Sequence, residues 1–177
     1  LLEQGGCARP ALVRAGFSAA VIKGLEERGL VESELRERVR DPLAHIEQGE
    51  AAEFSATVDQ ERVINALEES LHARAFHGAL LHGVTGSGKT LVYTNLVRSA
   101  LEQGRSAIVL VPEIALAWQM VRRFKQHFGD EVAVLHSQLS AGERYDTWKR
   151  LRRGEQRIVI GARSAVLAPL PDLGLLI

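Results

Sequence analysis

The sequence contains a single cysteine, Cys7, so these residues can form neither an internal disulfide nor a zinc site built from a cysteine cluster. It also carries no net charge, because 22 lysines and arginines balance 22 aspartates and glutamates. Nucleic-acid binding therefore has to come from a local patch or from backbone contacts, not from a global positive field. No apolar run is long enough to span a membrane, and no signal peptide is evident, so we expect no membrane partner.

The composition is that of an ordinary globular chain, with 46% hydrophobic and 25% charged residues. A length of 177 residues suits one medium domain or two small ones. The sequence begins at Leu1 without a methionine and stops within an apolar run, residues 173–177, that is typical of a buried strand. We therefore expect a piece of a longer protein.

The most informative stretch is G-x-x-x-x-G-K-T at residues 83–90, which matches the phosphate-binding loop without a mismatch. An apolar run at 79–81 predicts a strand before it, and a helix is predicted after it, starting near Lys89. Glycines let backbone N–H groups converge on phosphates, and the positive end of the helix dipole faces them. A glycine-rich turn that binds nothing is the alternative, which the agreement of motif and flanks disfavours.

This motif predicts ATP with Mg²⁺ as the ligand. Lys89 is expected to reach the outer phosphates and the Thr90 hydroxyl to help hold Mg²⁺, which gives both residues a part in catalysis. The predicted phosphate-binding residues are Gly83, Thr85, Gly86, Ser87, Gly88, Lys89 and Thr90.

Upstream of the loop, Thr57 is predicted to cap a helix that runs to about residue 73, with apolar residues at helical spacing. Gln60 lies in its first turn. Its amide could read the edge of an adenine through one donor and one acceptor. An ordinary surface glutamine beside a helix cap is equally compatible with the sequence.

Residues 1–47 form a charge-rich unit, which we separate by a linker at 48–56 from a larger unit at 57–177. Pro10 is expected to open a helix, and Ser18 to cap a second helix that ends at Gly29. The stretch 30–40 is predicted to be extended. Helix, glycine and charged extended stretch suggest a helix-turn-helix with a wing, but a small helical packing module fits as well.

Beyond the loop, predicted strands at 107–111, 132–135, 158–160 and 173–177 alternate with predicted helices at 113–128 and 142–153. This alternation predicts an α/β fold with a doubly wound parallel sheet. Ligands bind beyond the carboxyl ends of such strands. The segments that leave the strands there contain Pro112, Glu113, His136, Ser137, Arg163 and Ser164.

Two features of this part stay open. His136 leaves a strand and could contact DNA or a phosphate, although a lone histidine is more often structural. The predicted helix at 142–153 is basic, which is usual for a solvated outer face and also conceivable for the lid of a kinase; its cationic residues are Arg144, Lys149, Arg150, Arg152 and Arg153.

Five segments, in this order and spacing, resemble the PriA family of bacterial primosomal replication-restart helicases (primosomal protein N′) of superfamily 2: residues 83–90, 111–116, 134–137, 142–144 and 160–165. Val-Pro-Glu-Ile-Ala-Leu at 111–116 together with Gly-Ala-Arg-Ser-Ala at 161–165 is more specific than the phosphate loop. The resemblance is close over 57–177. Residues 12–42 are similar, less distinctively, to the end of the family's winged-helix domain.

The resemblance implies a RecA-like first motor lobe of an ATP-dependent DNA helicase, preceded by part of a DNA-binding winged helix. Gln60 would read adenine, and forked or single-stranded DNA would lie along a path that includes Pro112, Glu113, Ile114, Arg163 and Ser164, with His136 and Ser137 on the same rim. Implied partners are primosome proteins and single-strand-binding protein, in the cytoplasm of a bacterium near its nucleoid.

Several parts of the family would lie outside these residues: the Asp-Glu-x-His box, the second motor lobe, the zinc module and the N-terminal DNA domain. Zinc is therefore not expected here. The 177 residues alone are expected to be inactive in ATP hydrolysis. Leu91 departs from the family's usual acidic residue, and Ala117-Trp118 from its Thr-Pro. The alternative function is a non-motor nucleotide-binding protein such as a small kinase. A pure DNA-binding adaptor would leave the phosphate loop unexplained.

Overall fold

The structure, a computed structural model, describes residues 6–34, 40–44, 46, 55–112 and 114–177, without the side chains of 114–117. The chain divides into two compact units, Leu1–Arg38 and Val39–Ile177. In the described part of the chain, no helix has both the length and the apolar character that crossing a bilayer requires.

The first unit contains two short helices, α1 (Arg9–Arg14) and α2 (Ala19–Glu27). As predicted, a proline lies in the first turn of α1, and the hydroxyl of Ser18 accepts a hydrogen bond from the Val21 N–H at the start of α2. Gly29 follows α2 with a φ of 67°, the left-handed conformation that ends many helices. Part of the predicted extended stretch, 35–39, lies outside the described residues, so the winged helix stays a prediction.

The second unit is built on a four-stranded parallel sheet, β1 (Ser106–Leu110), β2 (Val132–Leu135), β3 (Ile158–Gly161) and β4 (Leu173–Leu176), in the order β2-β3-β1-β4. Its helices are α3 (Val58–His72), α4 (Lys89–Glu102), α5 (Ile114–Phe128) and α6 (Ala141–Arg152). Short 3₁₀ turns lie at Gly129–Glu131 and Arg163–Leu167. The predicted α/β fold is confirmed.

Alternate residues of the strands pack against helices on opposite faces of the sheet. Val109 and Ile160 belong to a cluster with Phe124 of α5 and Val97 of α4. Ile108 and Val159 face the other way, toward Leu151 of α6. Burial on both faces explains why the strands read as continuous apolar runs.

Residues 40–44 belong to the second unit, although the sequence assigned them to the first. Leu43 is only 1% exposed and lies in the α4–α5 cluster, and its carbonyl accepts a hydrogen bond from Nζ of Lys125 on α5 at 3.3 Å. On the α6 side, Arg40 donates from its backbone N–H and from Nη1 to the Asp146 carboxylate, both at 3.1 Å. The segment thus contacts α6 on one face of the sheet and α5 on the other.

Replacing Leu43 with alanine should lower the free energy of unfolding by about 2–5 kcal/mol, because it leaves a cavity in the main core. Leu80→Ala is the matched control, since Leu80 is 92% exposed and its loss should change stability by less than about 0.5 kcal/mol. Urea unfolding followed by circular dichroism measures both variants. Equal stability of the two would contradict the placement of residues 40–44 in the core.

Two expectations about the sheet were wrong, although the second strand itself is present as β4. Residues 79–81 form no strand, and residues 79 and 80 are exposed, so this short apolar run does not pack into the sheet. The run at 173–177 was expected to be buried, yet Leu173 and Leu176 of β4 are about half exposed. The reason is that β4 is an edge strand paired with β1 alone.

Candidate functional site

The position of the glycine loop follows from the direction of α4. At the end of α4, the Leu101 carbonyl accepts a hydrogen bond from Nη1 of Arg157 at 3.1 Å, just before β3 begins. The chain then turns at Gly104 and enters β1 at Ser106. Since the end of α4 lies at the amino edge of the sheet and the helix runs back along the strands, its start at Lys89 lies at the carboxyl edge, as predicted.

Glycines are required in the loop by its geometry. Gly86 and Gly88 have φ angles of 82° and 79°, which side-chain-bearing residues rarely adopt. A Cβ on Gly88 would also collide with the Gln60 amide nitrogen, and a Cβ on Gly83 would lie 2.7 Å from Oγ of Ser87. Gly88 caps α4 without a side-chain hydrogen bond. The Leu91 N–H donates to the Gly88 carbonyl at 2.9 Å, which leaves the N–H groups of Lys89 and Thr90 at the helix start to face an anion.

The ammonium group of Lys89 lies within the loop. Its Nζ donates to the carbonyls of Gly83 at 2.6 Å and Val84 at 2.8 Å. Thr90 follows in the first turn of α4 and is half-buried. The loop therefore holds one positive charge and one hydroxyl beside the helix start, the chemistry that a phosphate group and its cation need.

Gln60 is a link between α3 and the loop. Its Oε1 accepts the Thr57 N–H at 2.9 Å in a capping box, and its Nε2 donates to the Ser87 carbonyl at 2.9 Å. Gln60 is therefore more than an ordinary surface glutamine beside a helix cap, because its amide contacts the candidate site. Adenine reading stays a prediction; it would use the second N–H of Nε2 and the second lone pair of Oε1.

A cleft of about 310 Å³ lies between the start of α3 and the loop. This volume is at the lower end of the range for small-molecule sites. Several of the residues that line this cleft were not predicted from the sequence, although Val63 was recognised as one of the apolar residues at helical spacing. The lining residues are Thr57, Asp59, Gln60, Val63, Leu81, His82, Gly83, Ser87, Lys89 and Val92.

Three strand exits lie along the same carboxyl edge, because β2, β3 and β1 are parallel neighbours. Pro112 follows β1, Ser137 follows β2, and Arg163 and Ser164 follow β3; all four are exposed. The structure thus brings the predicted rim together. Glu113 and the side chain of Ile114 lie outside the described part of the chain.

His136 is mostly buried, with 9% of its surface exposed. Its Nδ1 accepts the Gln138 N–H at 3.2 Å, which places the ring proton on Nε2, and its ring meets Trp118 edge-on with centroids 6.0 Å apart. Burial lowers the pKa of His136, and Glu143 partly opposes this. These contacts suit a structural histidine; DNA contact by this side chain stays a prediction.

Comparison with known proteins gives matches over most of the chain. The family described as "Type III restriction enzyme, res subunit" matches residues 53–172. Relatives named "Replication restart protein PriA" include those of Bacillus subtilis (45% identical over 160 residues) and Synechocystis (45% over 161), each match covering 90% of this chain. The PriA of Haemophilus influenzae is 36% identical over 170 residues, 91% of this chain. These matches cover 20%, 19% and 22% of the relatives, so the chain spans about a fifth of their length.

Proposed function

We propose, because the chain belongs to the family of the Type III restriction enzyme res subunit, that it is the nucleotide-binding lobe of an ATP-driven DNA helicase. The observation that carries the proposal is the glycine loop at the start of α4, on the same sheet edge as three strand exits. A nucleotide in the loop and a DNA strand on this rim would then touch one rigid sheet.

In this proposal ATP binds with its phosphates in the loop and its base toward the α3 cleft. The phosphates replace the Gly83 and Val84 carbonyls as partners of Lys89, and the N–H groups at the start of α4 donate to them. The described residues include no cluster of three or more His, Cys, Asp or Glu side chains that could hold a metal. In this proposal the Thr90 hydroxyl and the phosphates supply oxygen ligands to Mg²⁺, the ligand type that this cation prefers.

The wider role rests on the resemblance and on the name of the relatives. We propose that ATP binding and hydrolysis, with a second lobe that completes the site, move a DNA strand along the rim and so help to restart replication. Primosome proteins and single-strand-binding protein are the proposed partners, in the bacterial cytoplasm. No observation specifically favours a kinase-like function, because none of the cationic residues of α6 lines the loop cleft.

Arg163→Ala should weaken the binding of a fluorescent single-stranded oligonucleotide by about fivefold, because Arg163 is an exposed cation at the proposed rim. The slope of log affinity against log salt should fall by about 0.7, the value for one phosphate contact on a single strand. Fluorescence anisotropy at several salt concentrations measures both. Arg98→Ala, an exposed arginine on α4, is the matched control. Unchanged affinity and slope in Arg163→Ala would remove Arg163 from the DNA site.

A further inference from the structure

Helix α6 has one face in the core and one in solvent. Asp146, Thr147 and Leu151 are buried. Tyr145 is 62% exposed and Trp148 is 40% exposed, although large aromatic side chains usually find cover. Arg144 and Arg152 are exposed as well. With 3.6 residues per turn, residues 145, 148 and 152 lie above one another along the helix.

The charges on this outer face are of one sign. The carboxylate of Glu143 is engaged in the capping box with Ser140, and that of Asp146 is buried and accepts hydrogen bonds from Arg40. The guanidinium of Arg152 lies 5.2 Å from the centroid of the Trp148 ring, a cation–π contact at the surface. A chain without net charge therefore concentrates cations and aromatic rings on one exposed stripe.

The shape of the stripe favours a nucleic acid over a peptide. Peptides and small molecules are held in grooves and clefts, whereas the rings of Tyr145 and Trp148 stand on the outside of a helix, and no residue of α6 lines the cleft at the loop. Nucleobases stack on projecting aromatic rings, while arginines pair with the phosphates between them. Rings interleaved with guanidinium groups supply both contacts on one surface.

The stripe also begins at the rim. Helix α6 starts at Ala141, shortly after Ser137 leaves β2 at the carboxyl edge, and it ends where the chain returns to begin β3 at the opposite edge. The first turn of α6, which contains Arg144, is therefore close in the chain to the rim at Ser137.

We propose that Arg144, Tyr145, Trp148 and Arg152 form a second binding surface for single-stranded nucleic acid, separate from the residues at the strand exits. The surface is called the α6 stripe below. This inference rests on the proposed function for the class of its ligand, but its residues and its test are independent of the rim.

The test uses fluorescence anisotropy with a labelled oligothymidylate and the 177-residue protein. Tyr145→Ala and Trp148→Ala should each weaken binding by about 5- to 150-fold, the range for the loss of one base–aromatic stack. Trp148→Phe should retain most of the affinity, because it keeps a ring. Phe76→Ala, which removes a fully exposed aromatic residue outside α6, is the matched control and should bind normally.

A second readout follows the ring itself. The chain has two tryptophans, so in Trp118→Phe the remaining fluorescence comes from Trp148, and the oligonucleotide should quench it. Arg152→Ala should reduce the salt slope by about 0.7. Should Trp148→Ala prove unstable by thermal unfolding, Tyr145→Ala, at a more exposed position, decides the outcome.

The outcomes separate the α6 stripe from the rim. If the two α6 alanine variants bind normally while Arg163→Ala is weakened, the stripe is overturned and the proposed rim stands. If the α6 alanine variants bind the oligonucleotide more weakly while Arg163→Ala binds normally, the stripe is supported and the rim contact of Arg163 is contradicted. Failure of the unaltered protein to bind the oligonucleotide overturns both. If a polyglutamate peptide binds and only that binding is lost in Trp148→Ala, the stripe serves an acidic peptide and the nucleic-acid assignment is overturned.

Discussion

Replacing Lys89 with alanine is expected to weaken the binding of Mg·ATP by about 10- to 150-fold. The Nζ group lies within the loop, where its hydrogen bonds to the Gly83 and Val84 carbonyls mark the position that a phosphate would take. A charge-assisted hydrogen bond contributes about 1.5–3 kcal/mol, which converts to the stated range of affinity. The loss should be larger for ATP than for adenosine, because the ammonium group faces the phosphates.

Titration with a fluorescent ATP analogue, followed by competition with unlabelled ATP and adenosine, measures this difference. Lys23→Ala is the matched control, since Lys23 is an exposed lysine in α2 that pairs with Glu27. Thermal unfolding accompanies the titration, because the alanine variant also loses the two hydrogen bonds that Lys89 donates within the loop. A folded Lys89→Ala protein that binds ATP as tightly as the unaltered chain would remove the loop from the nucleotide site.

The elements that could be predicted from the sequence are those whose signal is local. Strand β2 was predicted residue for residue, because a strand covered on both faces is a continuous apolar run between turns. The start of α4 followed from the loop motif, and the cap of α2 from Ser18. In each case residues within one or two turns decide the conformation.

The features that could not be predicted depend on contacts between distant parts of the chain. Leu43 is an isolated apolar residue in a charged stretch, and only its packing against α5 places it in the core. Residues 79–81 are apolar enough for a strand, but a strand also needs a pairing partner and packing from distant segments, and residues 79 and 80 are exposed instead. Likewise, Asp59 and His82 line the loop cleft because α3 packs beside the loop, a contact that no spacing in the sequence encodes.

Gly161→Ala is expected to lower the free energy of unfolding by about 3 kcal/mol or more, or to prevent folding altogether. Gly161 ends β3 opposite Leu135 of β2. A Cβ at this position would collide with the Leu135 carbonyl and would lie 2.8 Å from the Cβ of Ala165. A flexible side chain could move aside, but the first obstacle is backbone within the sheet, so β2 and β3 would have to separate at the carboxyl edge.

Gly78→Ala is the matched control, because a Cβ there meets only the far end of the Phe76 ring, at 4.0 Å. Urea unfolding compares the two variants, and equal stability would show that the end of β3 can shift freely. Because Arg163 and Ser164 follow Gly161 directly, separation of these strands would also displace the rim. A Gly161→Ala protein that still folds should therefore lose affinity for single-stranded DNA while its loop, carried by α4, still binds ATP. The opposite result, loss of ATP binding with DNA binding intact, would contradict the positions proposed for the two ligands on this edge.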